Sequence, residues 1–189
     1  MTSSQADIAL WEAYKTGDRE AFGLLFEKYY TALYQFGSKF TANQELLEDC
    51  IQELFAELWQ RKSVTQVISV KAYLLKSLKY KIFRSLNKIS VQVSQPLTDN
   101  MAFQIAHEDI LITLEETKEQ TDKVLNAMKS LTSRQKEIIY LQFYQELNYE
   151  EVSEIMNINY QAARNLLYQS IKALKKILGG LTILSFIIN

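Results

Sequence analysis

Gln161, Arg164, Asn165, Tyr168, Lys172 and Lys175 lie at offsets of 0, 3, 4, 7, 11 and 14 along the chain, so a helix through them carries all six on one face. The amides and the guanidinium can form the paired hydrogen bonds that distinguish base edges in a major groove. The two lysines suit phosphate contacts, which position a protein on DNA without specifying sequence. Tyr160, at the start of the same segment, is a further candidate for DNA contact. From Asn157 to Leu178 the charged residues are Arg164, Lys172, Lys175 and Lys176, all positive, whereas Glu150, Glu151 and Glu154 crowd the stretch before it. The second segment is the one DNA would accept. An ordinary amphipathic helix with a solvated basic face has the same pattern.

A second basic set lies earlier. From Arg61 to Thr98 there are eight basic residues and no acidic one. Lys71, Tyr73, Lys76, Tyr80, Lys81 and Arg84 are interleaved with Lys79 and Phe83. Cations attract a nucleic-acid backbone and exposed aromatics stack on unpaired bases, a combination suited to a strand being opened. Core packing is the competing use of each aromatic, and Tyr73 and Tyr80, seven residues apart, fit one helical face. Just before this block, Glu48, Asp49, Gln52, Glu53, Phe55, Glu57 and Trp59 bring carboxylates and large aromatics together. Asp49, Gln52, Glu53, Phe55 and Trp59 are the candidates for protein docking, because aromatics and desolvated charges anchor interfaces. A core helix with a solvated acidic side is the alternative.

Enzymatic chemistry has little to work with. The chain holds one histidine, His107, and one cysteine, Cys50, and no glycine-rich loop. That leaves no nucleophile-base pair and no metal-ligand cluster. No cofactor, metal or small-molecule substrate is expected. A single cysteine cannot form an intramolecular disulfide, and Met1 to Ile8 lacks the basic and apolar regions of a signal peptide, so a cytoplasmic location is expected. The apolar run Leu181 to Ile188 falls short of the ~20 residues that span a bilayer as a helix and reads as a packing tail.

These faces need helices to present them. Five glycines and one proline in 189 residues leave few turn residues for a many-stranded protein, while helix formers are plentiful. An all-α fold is expected. Cap residues divide the apolar periodicity into helices over about 7–15, 18–39, 43–59 and 70–86, enough to close one core. From Asn87 to about Ala106 the periodicity lapses around Pro96. A second helical group begins within 107–130 and continues over 132–145, 148–156 and 159–178. Thr132 with Gln135, and Asn148 with Glu151, have capping-box spacing. The last two helices, separated by three residues, form a helix-turn-helix. The expected organisation is two small helical domains, 1–87 and 122–178, joined by a flexible acidic linker over 88–121 and followed by a tail over 179–189.

The stretch Asp49-Cys50-Ile51-Gln52-Glu53-Leu54-Phe55-Ala56-Glu57-Leu58-Trp59 resembles region 2 of sigma-70 family factors. Leu131 to Glu137, with Tyr149 to Ser153 and the helix beyond, is similar to region 4. Both motifs in this order, over about Trp11 to Leu178, resemble the compact extracytoplasmic-function (ECF) branch, since the intervening segment is too short for the extra region of larger members. The resemblance implies a transcription initiation factor whose region 2 docks on core RNA polymerase through the Asp49 to Trp59 pattern. It further implies that the loop Lys62 to Ser69 and the helix after it melt and read the −10 promoter element, and that region 4 reads the −35 element. A membrane-bound anti-sigma factor is the expected controlling partner. Tyr80 and Arg84 stand where members often have asparagine and aspartate, and Leu166 and Gln169 where many have arginines. A conventional helix-turn-helix regulator that does not associate with polymerase is the alternative.

Overall fold

Asp18 sets a pattern that recurs along the chain: its carboxylate accepts from the backbone N–H groups of Glu20 (2.9 Å) and Ala21 (3.1 Å), and a helix follows. The computed structural model describes residues 5–61, 67–92, 103–105, 124 and 126–178. Among them the regular structure is helical throughout, as the composition predicts. The chain divides into two units, one centred on residues 5–92 and the other on 103–178.

The first unit contains α1 (Gln5–Lys15), α2 (Arg19–Gly37), α3 (Gln44–Arg61) and α4 (Val70–Gln92). Asn43 caps α3 by accepting from Leu46 N–H at 3.1 Å, and Ser69 caps α4 by accepting from Ala72 N–H at 3.2 Å. Trp11, Tyr14, Leu33, Phe36, Leu47, Ile51, Leu74, Leu78 and Ile82 are fully buried, so all four helices share one core. Each such side chain contributes roughly 1.5–3 kcal/mol of burial. Two long-range contacts fix how the helices meet. The Tyr14 hydroxyl donates to the Leu58 carbonyl at 2.8 Å, tying α1 to α3. Gly37 lets α2 approach its neighbours closely: a methyl group there would collide with Leu47 and press on Ile82 at 3.2 Å and Leu78 at 3.3 Å.

The second unit contains α5 (Ser133–Ile139), a wider turn of π type over Tyr140–Tyr144, α6 (Tyr149–Met156) and α7 (Tyr160–Leu178), with helical residues also at 126–129. Both expected capping boxes are present. Thr132 accepts from Gln135 N–H at 3.3 Å while Gln135 accepts from Thr132 N–H at 2.9 Å. Asn148 and Glu151 exchange the corresponding pair at 3.0 and 2.8 Å. Ala127, Leu131, Ile138, Leu141, Leu147, Val152, Ala163, Leu167 and Leu174 are buried, and α5 packs on α7.

Three local features differ from expectation. α4 runs to Gln92 rather than ending near Leu86, because Asn87 to Gln92 contain neither glycine nor proline and the first true breaker is Pro96. The helix expected over 132–145 is regular only to Ile139, after which Gln145 N–H reaches back to the Tyr140 carbonyl at 3.0 Å in a π-type turn that ends with Glu146 at φ 53°. Phe103, in the stretch where periodicity lapses, is buried with its ring 5.5 Å from that of Tyr140. The rest of the expected linker, the start of the second helical group, the loop residues 62–66 and the tail lie outside the described residues. No helix among the described residues is long and apolar enough to cross a membrane.

Candidate nucleic-acid and protein interfaces

The helix-turn-helix is made by a left-handed residue and a cap. Asn157 takes φ 51° and Ile158 N–H returns to the Ser153 carbonyl at 3.1 Å, which closes the end of α6. Asparagine tolerates the left-handed region better than most L-residues, so it can stand where glycine is commoner. Asn159 then accepts from Ala162 N–H at 2.7 Å and starts α7. Along α7, Ala163, Leu167, Ser170 and Leu174 turn inward. Gln161, Arg164, Asn165, Tyr168, Lys172 and Lys175 are all exposed, Tyr168 at 67%. The predicted face is therefore a single solvent-facing surface. Two contacts order its N-terminal half: Gln161 Nε2 donates to Asn165 Oδ1 at 3.0 Å, and the Arg164 guanidinium lies 6.0 Å from the Tyr160 ring centre.

The basic set of α4 divides. Tyr73, Ser77, Tyr80, Lys81, Arg84, Ser85 and Lys88 line one side of a groove of about 720 Å³, facing Glu53, Leu54, Glu57, Leu58 and Arg61 of α3. Tyr73 and Tyr80 do share this face. Tyr80 and Arg84 are exposed, while Lys71, Tyr73, Lys76 and Lys81 are half-buried. Tyr73 sets its ring edge-on to Trp11 at 5.3 Å, so much of it belongs to the core. Lys81 is held by acids of α3: its ammonium donates to Glu57 at 2.6 Å and lies 3.7 Å from Glu53. Sequence separation of 24 residues hid this pairing. The Lys81 hydrogen bond, with the charges of Lys81, Arg61 and Arg84, holds the Glu57 carboxyl below its ordinary range against a smaller opposing effect of burial. Lys79, on the same helix, sets its ammonium 5.7 Å from the Phe40 ring centre and 5.6 Å from that of Phe83.

On α3 the docking candidates also separate by depth. Asp49, Gln52 and Glu53 are exposed within a little more than one helical turn. Phe55 is 4% exposed, its ring 4.9 Å from Phe26 and 5.9 Å from Phe22, so it supports the surface from below. Trp59 is half-buried against Phe22 at 5.0 Å. Cys50 is buried, its sulfur 3.7 Å from the Ser85 hydroxyl, and burial raises the thiol pKa, which fits a packing residue. No group of three or more potential metal ligands occurs among the described residues.

Residues 25–90 match the family model for sigma-70 region 2, and residues 121–174 match that for sigma-70 region 4. The ECF RNA polymerase sigma factor BldN of Streptomyces coelicolor is 24% identical over 177 residues, covering 90% of this chain. The chain spans 65% of that relative's length. Two solved structures share the fold. CnrH, in complex with the cytosolic domain of CnrY, gives a TM-score of 0.62 at 18% identity over 94% of this chain and all of that one. The sigma factor RpoE of Bartonella quintana, in complex with the anti-sigma factor NepR, gives 0.58 at 18% identity, over 84% of this chain and 96% of that one. With both regions matched in order and an ECF factor among its relatives, this chain belongs to the sigma-70 family, in its extracytoplasmic-function branch.

Proposed function

We propose that this chain is a transcription initiation factor that binds core RNA polymerase and directs it to promoters by recognising −10 and −35 elements. The observation that carries the reading is the α7 face: six polar and basic side chains, Gln161 to Lys175, are presented together on the second helix of a helix-turn-helix. A helix so placed enters a major groove with its N-terminal residues toward base edges. In this reading residues 1–87 act as region 2 and residues 122–178 as region 4, with 88–121 between them and the apolar 179–189 as a tail. Asp49, Gln52 and Glu53 meet the polymerase directly, with Trp59 at the margin and Phe55 as their support. On α4, Tyr80 and Arg84 are the best-exposed members of the −10 set, and the half-buried Lys71, Tyr73, Lys76 and Lys81 contribute less. The reading involves no catalysis, and its place of action is the cytoplasm.

The match of residues 25–90 to sigma-70 region 2 disfavours a conventional helix-turn-helix regulator, which needs no such unit. Likeness to two proteins solved as complexes, one with an anti-sigma factor, supports a controlling partner of that kind, membrane-bound in the reading offered here. A pull-down of purified core RNA polymerase tests the proposal. The unmutated chain is expected to bind, with Glu53→Ala and Trp59→Ala weakened. Failure of the unmutated chain to bind core would overturn it.

A further inference from the structure

Tyr149, Tyr160 and Arg164 form a chain of contacts across the turn. The Tyr149 ring meets the Tyr160 ring edge-on at 5.6 Å, and the Arg164 guanidinium lies 6.0 Å from the centre of the Tyr160 ring. Tyr149 is half-buried at the start of α6, Tyr160 is 43% exposed at the start of α7, and Arg164 is exposed. An arginine on an exposed helix face ordinarily samples many rotamers and must surrender them to grip a base. Here a ring one helical turn away offers it a resting place, and a second ring limits where the first can go. The neighbouring amide is ordered too, because Gln161 donates to Asn165 Oδ1 and so fixes which way the Asn165 amide faces.

We infer that Tyr149 and Tyr160 are positioning residues that pre-orient Arg164, so that base discrimination at one promoter position depends on two aromatic rings that need not touch that base. The inference rests on α7 being the DNA-reading helix. A cation over an exposed ring is stabilised by about 0.5–1 kcal/mol, which corresponds to roughly two- to fivefold in preference for the bound rotamer. The rings would therefore tune specificity rather than create it.

The test uses the full chain assembled with core RNA polymerase and a duplex library randomised across the −35 segment. The position whose preference disappears in Arg164→Ala identifies the arginine's base. Tyr160→Leu and Tyr149→Leu are expected to reduce discrimination at that same position by about two- to fivefold. Binding to unrelated duplex should stay the same, and Tyr160→Phe should retain discrimination because the ring remains. In an Arg164→Ala background Tyr160→Leu should cause no further loss there. Reduced binding to every sequence in Tyr160→Phe would mean that the hydroxyl holds a phosphate, and further loss in the double variant would mean that Tyr160 reads DNA itself; either result overturns the inference while leaving the recognition helix intact. Unchanged discrimination in Arg164→Ala would overturn the assignment of Arg164 to a base, and the inference with it, whereas loss of discrimination in none of Gln161→Ala, Arg164→Ala and Asn165→Ala would overturn the recognition-helix reading as well. Thermal melting of each variant separates these outcomes from loss of fold.

Discussion

Arg164 and Lys175 carry the same charge on the same helix face, yet they should behave differently when removed. Arg164 is in the N-terminal half of α7 and can make two parallel hydrogen bonds to a base edge; Lys175 is three turns further on and offers a mobile point charge. Arg164→Ala should cost about 1–3 kcal/mol on the preferred promoter and relax preference at one position, whereas Lys175→Ala should weaken all sequences alike. Competition binding of holoenzyme against single-base promoter variants checks this, and indistinguishable variants would refute the division of roles. A second prediction concerns Tyr14, whose hydroxyl donates to Leu58 within the core. Burial, with a smaller contribution from Tyr73, pushes its pKa up to about 12. The unfolded chain releases that proton near pH 10 while the folded chain keeps it, so between those values stability falls as pH rises, by up to ~1.4 kcal/mol per pH unit. Tyr14→Phe should lose about 1 kcal/mol at neutral pH and show a shallower alkaline decline in urea denaturation. An unchanged alkaline slope would rule out Tyr14 as its source.

Helix starts were legible in the sequence because a cap is a short-range device: Asp18, Asn43, Ser69, Thr132 with Gln135 and Asn148 with Glu151 each satisfy backbone donors within three residues. The α7 face was legible for a related reason, since a 3.6-residue repeat on the surface depends on nothing outside its own helix. What one helix does to another was not. Lys81 reads as a free cation beside its neighbours on α4, and only the packing of α3 on α4 shows that Glu57 and Glu53 hold it. Phe55 reads as an interface aromatic until Phe22 and Phe26 of α2 are seen against it. The α3–α4 pairing itself leads to a pH prediction. Glu57 has its pKa lowered in the folded chain, so its contribution is complete above the ordinary carboxylate range and is lost as pH falls through the lowered value. The carboxylate is 47% exposed, which limits the pair to about 1 kcal/mol or less. Glu57→Gln should therefore be slightly less stable than the unmutated chain at pH 7 and lose less on acidification to pH 3. Parallel losses in both proteins, measured by thermal melting, would show that the pair contributes nothing.

At the scale of the whole molecule, charge is divided more sharply than its total suggests. The formal net charge is −1, and acids at Glu45 to Glu57 and over Asp99 to Asp122 surround the basic stretch in sequence. Such a chain has no overall attraction for DNA, so the cations that touch phosphate must be few and local. On the face of α7 those are Lys172 and Lys175, because Arg164 is assigned to a base. Lys81 is already neutralised by Glu57. Each phosphate contact contributes about −0.9 to the slope of log affinity against log salt on duplex DNA. Binding of the free chain to a −35 duplex should thus have a slope of about −2, falling toward about −1 in Lys175→Ala. Affinity should also be low without polymerase, since two phosphate contacts supply little of the electrostatic free energy on which DNA binding usually depends. A titration of labelled duplex across a salt series decides the matter. A slope several times steeper would mean that cations beyond Lys172 and Lys175 lie on the duplex, which would refute the assignment of phosphate contact to those two alone.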